Sequence, residues 1–322
     1  MIQGRILSAI LAIILICSAG IGCNKKPSLK GMDTPPSDLP EFCAEYNFDI
    51  ISLPYKECPS SNFSQAAADD TTYPVDTDGV FLFKWNDQFY YHPVEMCHKA
   101  YIFLAAYRQT GDSTYLSRIK SYTRRMMMEA IPFGDAVYFP YRFDYKVHGR
   151  DDGLLKAPWF SGMAQGEALL VFGRAFSVTG DSTYLDFAHK IFNSFGRLKG
   201  EAEPWTVFAD KAGCYWIEEY PLPEPSMTLN GFIFALYGVY DYYLLTGSTE
   251  AADVLRDSFR TLKNYIPHFR RPGRPSFYGL RFGHYTASYH LVHINQLRYL
   301  EKMTGDHFFG DWADSLYLDY SG

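Results

Sequence analysis

The sequence is poor in charge and has no excess of positive charge. Only 20% of its 322 residues are Asp, Glu, Lys or Arg, and the formal net charge is −6. A general nucleic-acid binder would carry a basic domain, so nucleic acid is not an expected partner. The GxSxG elbow, the P-loop, the GxGxxG fingerprint and the HExxH motif are also absent from the sequence. The common signatures of serine hydrolases, P-loop NTPases, dinucleotide-binding proteins and zinc proteases are therefore missing.

Aromatic side chains, by contrast, are abundant. The chain has 26 Tyr, 25 Phe and 5 Trp, and 47% of its residues are hydrophobic. A chain of this length and composition can bury a sizeable core, which excludes disorder for most of it. The number of tyrosines exceeds what a core needs and is typical of grooves that bind sugars.

Residues 1–22 have the pattern of an export signal. Arg5 is followed by an uncharged run that ends in small residues just before Cys23. This order predicts a lipoprotein-type signal peptide, whose removal leaves Cys23 to carry the lipid. Gly20 stands where such signals usually have a Leu-like residue, so an uncleaved membrane anchor remains the alternative. In either case we expect an exported protein in the cell envelope, attached to a membrane by this segment.

Residues 23–79 are predicted to form a linker and N-terminal extension, because they are rich in Pro, Ser, Asp and Thr. The packed domain is expected over residues 80–322. An exported protein can form disulfides, and Cys43 with Cys58 is the expected pair. The sequence has no CxxC motif and no Cys/His cluster that would suggest zinc, and no metal site is predicted.

A repeated phrase predicts the architecture of the domain. A Thr-Gly-Asp or Thr-Gly-Ser triplet follows four apolar stretches, with its glycines at 111, 180, 247 and 305. Glycine is the residue that ends a helix at least cost, and the Asp or Ser after it can cap the next helix. The spacing of 58 to 69 residues fits two helices plus a long connection. We expect a mainly α fold, an incomplete (α/α) toroid of four or five helical hairpins with an inner and an outer ring.

Polar residues favour a central site over a plain helical array. In a toroid, the polar residues near the starts of the predicted inner helices would converge on one rim. They are Gln165, Glu167, Asn230, His290, His293, Asn295 and Gln296. Aromatic, alternating stretches at residues 80–91, 136–145 and 212–221 predict short strands over the same rim. A groove for a chain-like ligand is expected there.

Four ordered stretches resemble one family, the D-glucuronyl C5-epimerases, which convert glucuronate to iduronate in heparan-type polymers. The stretches are Trp159–Ala168, Glu218–Pro221 with Leu229–Phe232, Tyr278–Arg281 and Tyr289–Leu297. The likeness covers the family's helical carboxy-terminal domain, over about residues 80–315. The β-sandwich that precedes this domain in animal members has no room between Pro93 and Trp159. The resemblance implies an isomerase acting on an acidic, uronate-containing polysaccharide without a cofactor.

Inversion at C5 requires a base and an acid on opposite faces of the sugar. By resemblance, Glu219 and Tyr220 belong to the active site, with Glu219 as a candidate base. Neighbours in a strand point to opposite faces, so both can face one atom only if the segment bends, and Glu218 stays an alternative base. Tyr289 is the expected second proton-transfer group, and Tyr278 is a further catalytic candidate.

Arg281 is expected to bind the substrate carboxylate and to lower the pKa of a nearby phenol. The resemblance also implies substrate contacts for Asn230, Gln165, His290, His293 and Asn295, and a weaker match at Trp85–Pro93 adds Tyr90. Asn230 could instead cap its helix. A basic run that could attract a polyanion is formed by Arg270, Arg271, Arg274 and Arg281.

Other functions stay open from the residues alone. A polysaccharide lyase would begin with the same proton abstraction. A glycoside hydrolase would need two carboxylates, for which Glu218, Glu219 and Asp144 are the candidates. The third alternative is a lipoprotein that binds a glycan without turning it over.

Overall fold

The computed structural model describes residues 29–62 and 64–321. The predicted signal peptide and the lipidation site Cys23 lie outside these residues. Within them, helices make up most of the regular structure. Their bounds are α1 Gln65–Ala68, α2 Pro93–Thr110, α3 Ser113–Glu129, α4 Gly162–Thr179, α5 Ser182–Phe192, α6 Leu229–Thr246, α7 Thr249–Phe269, α8 Ala287–Thr304 and α9 His307–Asp319. None of the helices in the described part of the chain is both long and apolar enough to cross a bilayer.

The repeated triplet ends the first helix of every hairpin. Gly111, Gly180, Gly247 and Gly305 follow α2, α4, α6 and α8 with φ of 71°, 70°, 66° and 71°. The next residue caps the following helix: its side chain accepts a backbone N–H from the first turn at Asp112, Asp181, Ser248 and Asp306. The predicted hairpins α2–α3, α4–α5, α6–α7 and α8–α9 are therefore confirmed.

The first helices of the hairpins form an inner layer, and the second helices lie outside them. Helix α2 packs on α4, α4 on α6, and α6 on α8, while each outer helix packs on its own inner partner. Helices α4 and α6 cross at glycines: a Cβ on Gly166 or Gly238 would overlap the backbone of the opposite helix. The result is the expected open α/α toroid, with buried inner helices around a central space.

Short strands connect the hairpins, as the aromatic stretches predicted. Antiparallel pairs are formed by β2 Phe83–Trp85 with β3 Gln88–Tyr90, β4 Ile131–Phe133 with β5 Ala136–Tyr138, β6 Tyr145–Lys146 with β7 Leu154–Leu155, and β8 Val207–Ala209 with β9 Tyr215–Ile217. The fifth sheet has three strands: β1 Lys30–Met32 lies beside β11 His284–Thr286, which also pairs with β10 Phe277–Gly279.

Much of the predicted linker packs against the helices. Phe48 is 7% exposed and its ring contacts Phe259 and Phe309, at centroid distances of 5.7 and 6.1 Å. A disulfide joins Cys43 to Cys214, not to Cys58, which is a free and buried thiol. The predicted Cys43–Cys58 pair is therefore wrong, since nearness in sequence did not reveal that the chain at Cys43 runs beside the β8–β9 hairpin. Packing begins well before residue 80.

Candidate functional site

The inner helices surround a cavity of about 850 Å³. Its wall includes side chains of α2, α4, α6 and α8, of the strands at one end, and of residues 59–72 of the N-terminal segment. Several of the sequence candidates lie on this wall: Glu219, Tyr220, Tyr289 and Asn295. The cavity is therefore the place where segments distant in sequence meet, as expected for the groove.

Glu218 and Glu219 have different roles because the chain bends after strand β9. The Glu218 carboxylate accepts the backbone N–H groups of Tyr220, at 3.0 Å, and of Met227, at 2.9 Å. Its side chain therefore holds the turn, and it does not line the cavity. The bend lets both Glu219 and Tyr220 reach the cavity wall, which a straight strand would prevent. The geometry thus favours Glu219 over Glu218 as the functional carboxylate.

Glu219 is buried within a group of tyrosines. The Tyr278 hydroxyl lies 3.0 Å from both of its carboxylate oxygens and donates to it, and the Tyr220 hydroxyl lies 3.3 Å from that of Tyr278. The Tyr289 ring packs edge-on against Tyr278, with centroids 4.7 Å apart. The four predicted catalytic residues thus form one cluster, in which Tyr289 contacts Tyr278, the residue that donates to Glu219.

The pKa of Glu219 is shifted toward neutrality. Burial raises it from the usual 4.5 to about 7, although the hydroxyl groups of Tyr220 and Tyr278 stabilise the carboxylate and act in the opposite direction. Burial and the Glu219 charge also raise the pKa of Tyr278 well above its usual range. At neutral pH the carboxyl group can therefore accept or release a proton, while the Tyr278 phenol stays protonated.

Gly231 makes room for Glu219. It lies in the first turn of α6, directly behind the carboxylate, and a Cβ at this position would overlap Glu219 Oε2 and lie 2.7 Å from Glu219 Cβ. The Leu-Asn-Gly-Phe stretch therefore serves the site through its glycine. Asn230 beside it is buried off the cavity wall, and its backbone carbonyl accepts a hydrogen bond from Gln296 at 3.0 Å.

Arg281 does not take the place that the resemblance implied. Its guanidinium donates to the Glu224 carbonyl, lies 3.4 Å from the Glu224 carboxylate, and sits over the Phe282 ring at 4.5 Å. It does not line the cavity. The strand after Tyr278 directs Arg281 toward the loop at Glu224, so the structure gives no support to the expected carboxylate grip or to the expected lowering of a phenol pKa.

Three other polar candidates bind the protein itself. Gln165 donates to the Val137 carbonyl at 2.8 Å and accepts the Phe139 N–H at 3.2 Å. His290 accepts the Ser276 N–H at 2.8 Å and lies 2.9 Å from the Leu316 carbonyl. His293 Nδ1 lies 2.8 Å from the Ser276 hydroxyl. These side chains fasten strands and helices together and are absent from the cavity wall, so their predicted substrate contacts are not supported.

Tyr90 also lies off the cavity wall. Its ring packs on Phe143 at 5.3 Å, and its hydroxyl donates to Gln88 on the same strand. Asn295 does line the cavity, where its side chain donates to the Leu291 carbonyl at 3.1 Å. Asp144, the acid named for a hydrolase, is exposed and pairs with Lys156 at 2.6 Å.

Glu167, one of the polar residues expected near the rim, is buried in a pair with a histidine that the sequence did not single out. His98 of α2 lies 3.0 Å from Glu167 of α4, measured from Nε2 to Oε1. Burial lowers the pKa of His98, but the Glu167 carboxylate outweighs this effect and leaves that pKa raised. The neighbouring Lys99 lines the cavity too, 3.6 Å from Asp70. The position of Glu167 near the start of an inner helix was predicted, whereas no motif singled out His98.

The basic run is neutralised within the protein. Arg270 pairs with Asp319 at 2.6 Å, and Arg271 and Arg274 both pair with Asp33, at 2.5 and 3.4 Å. None of the four arginines lines the cavity. Within residues 29–62 and 64–321, no group of three or more His, Cys, Asp or Glu side chains is placed to hold a metal ion.

Comparison with known proteins identifies relatives of about half of the chain. A D-glucuronyl C5-epimerase of Caenorhabditis elegans is 29% identical over 180 residues, which are 50% of this chain and 29% of the relative. An uncharacterized protein of Methanocaldococcus jannaschii is 26% identical over 175 residues, which are 54% of each chain. The chain thus spans about half or less of the length of these curated relatives.

The fold is shared with solved sugar-acting enzymes. A D-mannose isomerase superposes with a TM-score of 0.52 over 84% of this chain and 72% of the isomerase, at 13% identity. At that identity the likeness concerns the toroid alone.

The family comparison covers the site itself. The family described as the D-glucuronyl C5-epimerase C-terminus matches residues 133–316, which is more than half of the chain. That range includes Glu219, Tyr220, Tyr278 and Tyr289. The protein belongs to the D-glucuronyl C5-epimerase family, of which it carries the C-terminal domain.

Proposed function

We propose that the protein is a carbohydrate epimerase that inverts C5 of a hexuronate, D-glucuronate to L-iduronate, within an acidic polysaccharide. The observation that carries this proposal is a carboxyl group with a pKa of about 7 on a cavity wall, hydrogen-bonded to Tyr278 and close to two further tyrosines. Membership of the family supports it, since a relative of that name shares the matched region.

The proposed reaction moves one proton off the sugar and returns another. Glu219 takes the proton from C5, and the C–H electron pair moves into the substrate carboxyl group as an enolate. The Tyr289 hydroxyl then gives a proton to the opposite face of C5. Glu219 is then protonated and Tyr289 is a tyrosinate. The proton passes from Glu219 back to Tyr289 through solvent or through the Tyr278 and Tyr220 hydroxyls. The step consumes no cofactor or co-reactant.

Heavy water tests the proposal directly. Incubation with an unsulfated glucuronate polymer should place deuterium at C5 without cutting the chain, as read by NMR. Tyr289→Phe should still exchange the C5 hydrogen of glucuronate but should not invert it, whereas Glu219→Gln should lose both. Tyr90→Phe is the matched control, because this tyrosine lies off the cavity wall. It should behave as the wild type.

Three results would contradict the proposal. Appearance of an unsaturated uronate, seen by ultraviolet absorbance, would indicate a lyase. New reducing ends would indicate a hydrolase. Glycan binding without exchange would indicate a binding protein.

The rate should depend on pH through Glu219. Its pKa is about 7, and the carboxylate is the form that removes a proton. We therefore expect kcat/KM for glucuronate to fall about tenfold per pH unit well below pH 7 and to level off above it. A rate that increases as the pH falls below 7 would exclude Glu219 as the base for this direction.

We also propose that the protein is exported and attached to a membrane through lipid on Cys23. The signal-like residues 1–22 support this, as does the Cys43–Cys214 disulfide, because disulfides persist in oxidising compartments. Growth with a labelled fatty acid should label the wild type and not Cys23→Ser. Label retained by Cys23→Ser would contradict acylation at this residue.

A further inference from the structure

A row of aromatic rings leads away from Glu219 along the cavity wall. Tyr220 stacks beside Tyr145 with centroids 5.8 Å apart and planes 26° apart, and Trp85 follows at 5.9 Å from Tyr145. All three rings line the cavity and are partly exposed. We call Tyr220, Tyr145 and Trp85 the aromatic row. It begins next to the proposed base and ends at the β2–β3 hairpin.

Buried side chains hold the aromatic row in position. Phe143 packs against Trp85 at 5.5 Å, and Trp159 stacks on Tyr145 at 6.0 Å, measured between ring centroids. These two supports are 5% and 7% exposed, and the Trp159 indole donates to the Phe143 carbonyl at 3.0 Å. Rings fixed in this way lose little freedom when a ligand packs on them. The apolar face of a pyranose is the part of a sugar that packs on such rings.

We propose that the aromatic row is a subsite for the sugar next to the reacting uronate. The inference rests on the proposed function for the identity of the reacting sugar. Tyr145 and Trp85 bind the neighbour through its apolar face. The row therefore determines where the chain lies relative to Glu219.

Shortening the row tests this subsite by binding alone. Calorimetry would compare glucuronate with an unsulfated oligosaccharide in which neutral sugars flank it. Trp85→Ala should weaken the oligosaccharide about tenfold and leave the monosaccharide unchanged. Phe89→Ala is the matched control, because Phe89 lies on the same hairpin, is 53% exposed and does not line the cavity. It should bind both ligands as the wild type does. Equal weakening of both ligands by Trp85→Ala, or no weakening, would overturn the subsite.

None of these measurements requires turnover. If the binding pattern holds but the wild type shows no C5 exchange, the proposed function fails and the subsite stands. If the wild type shows C5 exchange but Trp85→Ala binds the oligosaccharide as tightly as the wild type, the subsite fails and the proposed function stands.

Discussion

Glu219 illustrates how a functional residue works against folding stability. The carboxyl ionises with a pKa near 4.5 in the unfolded chain and about 7 in the folded protein. Between these values the folded state holds the extra proton, so the contribution of Glu219 is complete below pH 4.5 and is lost as pH rises through 7. Above pH 7 the protein must keep a buried charge that the tyrosine hydroxyls offset only in part.

Glu219→Gln should therefore stabilise the protein at high pH while removing turnover. The shift of about 2.5 units corresponds to a gain on the order of 3 kcal/mol at pH 8, which should disappear near pH 4. Chemical denaturation at both pH values would measure it. Glu250→Gln is an informative comparison, since hydrogen bonds from its backbone and from Ser248 lower the pKa of Glu250. Glu250→Gln should lose stability at pH 8. If both variants gained stability at pH 8, the gain in Glu219→Gln could not be attributed to the raised pKa of Glu219.

Gly231 and Gly173 should respond in opposite ways to the same substitution. Both are helical, and alanine favours a helix by about 1 kcal/mol over glycine. At Gly231 a methyl group overlaps the Glu219 carboxylate, whereas at Gly173 the nearest atom is 3.7 Å away, on Leu245. Gly231→Ala should destabilise the protein by about 1–3 kcal/mol and abolish exchange. Gly173→Ala should be neutral or stabilising and fully active. Thermal unfolding and the C5 exchange assay would measure both effects. A Gly231→Ala variant with the stability and exchange rate of the wild type would contradict this prediction.

At the scale of helices and strands, local chemistry carried the prediction of the fold. The Thr-Gly-Asp triplets mark helix ends because a left-handed glycine and a capping Asp satisfy backbone groups without any distant partner. Glu219, Tyr220, Tyr278 and Tyr289 were found through short motifs. Their convergence needed the bend that Glu218 holds, and nothing in the motif itself determines that bend.

The direction of side chains on the inner helices could not be predicted. These helices are apolar on nearly every side, so the sequence has no polar stripe to indicate which face meets the cavity. Gln165 and His290 lie near helix starts as expected, yet they contact neighbouring backbone. His98 does line the cavity and carried no motif. Contacts with residues distant in sequence determine these orientations, just as they determine that Cys43 forms its disulfide with Cys214.

Arg174 joins helix α4 to the N-terminal segment. It lies 2.5 Å from Asp241 of α6 and donates to the carbonyls of Pro59, at 2.8 Å, and Ser60, at 2.7 Å. Arg174→Met would leave Asp241 with a largely buried, unpaired charge, at a cost of about 3–5 kcal/mol. Denaturation and hydrogen exchange near residues 55–62 would measure the loss.

Two further variants separate the ion pair from simple loss of packing. Arg174→Met with Asp241→Leu should recover part of the stability, because neither charge is then left alone. Arg256→Met removes an exposed pair with Asp253 and should change stability by less than about 1 kcal/mol. A double variant as unstable as Arg174→Met would indicate that the contacts with Pro59 and Ser60 dominate.

For the whole molecule, the N-terminal segment completes the site. Residues 59–72 supply part of the cavity wall, and the disulfide at Cys43 holds the preceding stretch against the β8–β9 hairpin. Composition alone suggested a linker, because these residues are polar and rich in proline. A few buried side chains such as Phe48 were enough to make the segment part of the domain.

The charge of the whole molecule predicts an unusual response to salt. The net charge is −6, the arginines of the basic run are paired with acids, and the cavity wall is acidic. A polyanionic substrate should therefore approach against a weak repulsion, which salt screens. We expect kcat/KM for a glucuronate polymer to increase between about 10 and 150 mM salt, where the Debye length falls from about 30 to 8 Å. The same polymer with its carboxyl groups reduced should bind with little dependence on salt. A basic groove would make kcat/KM fall with salt, and that result would mean that the paired arginines open to receive the substrate.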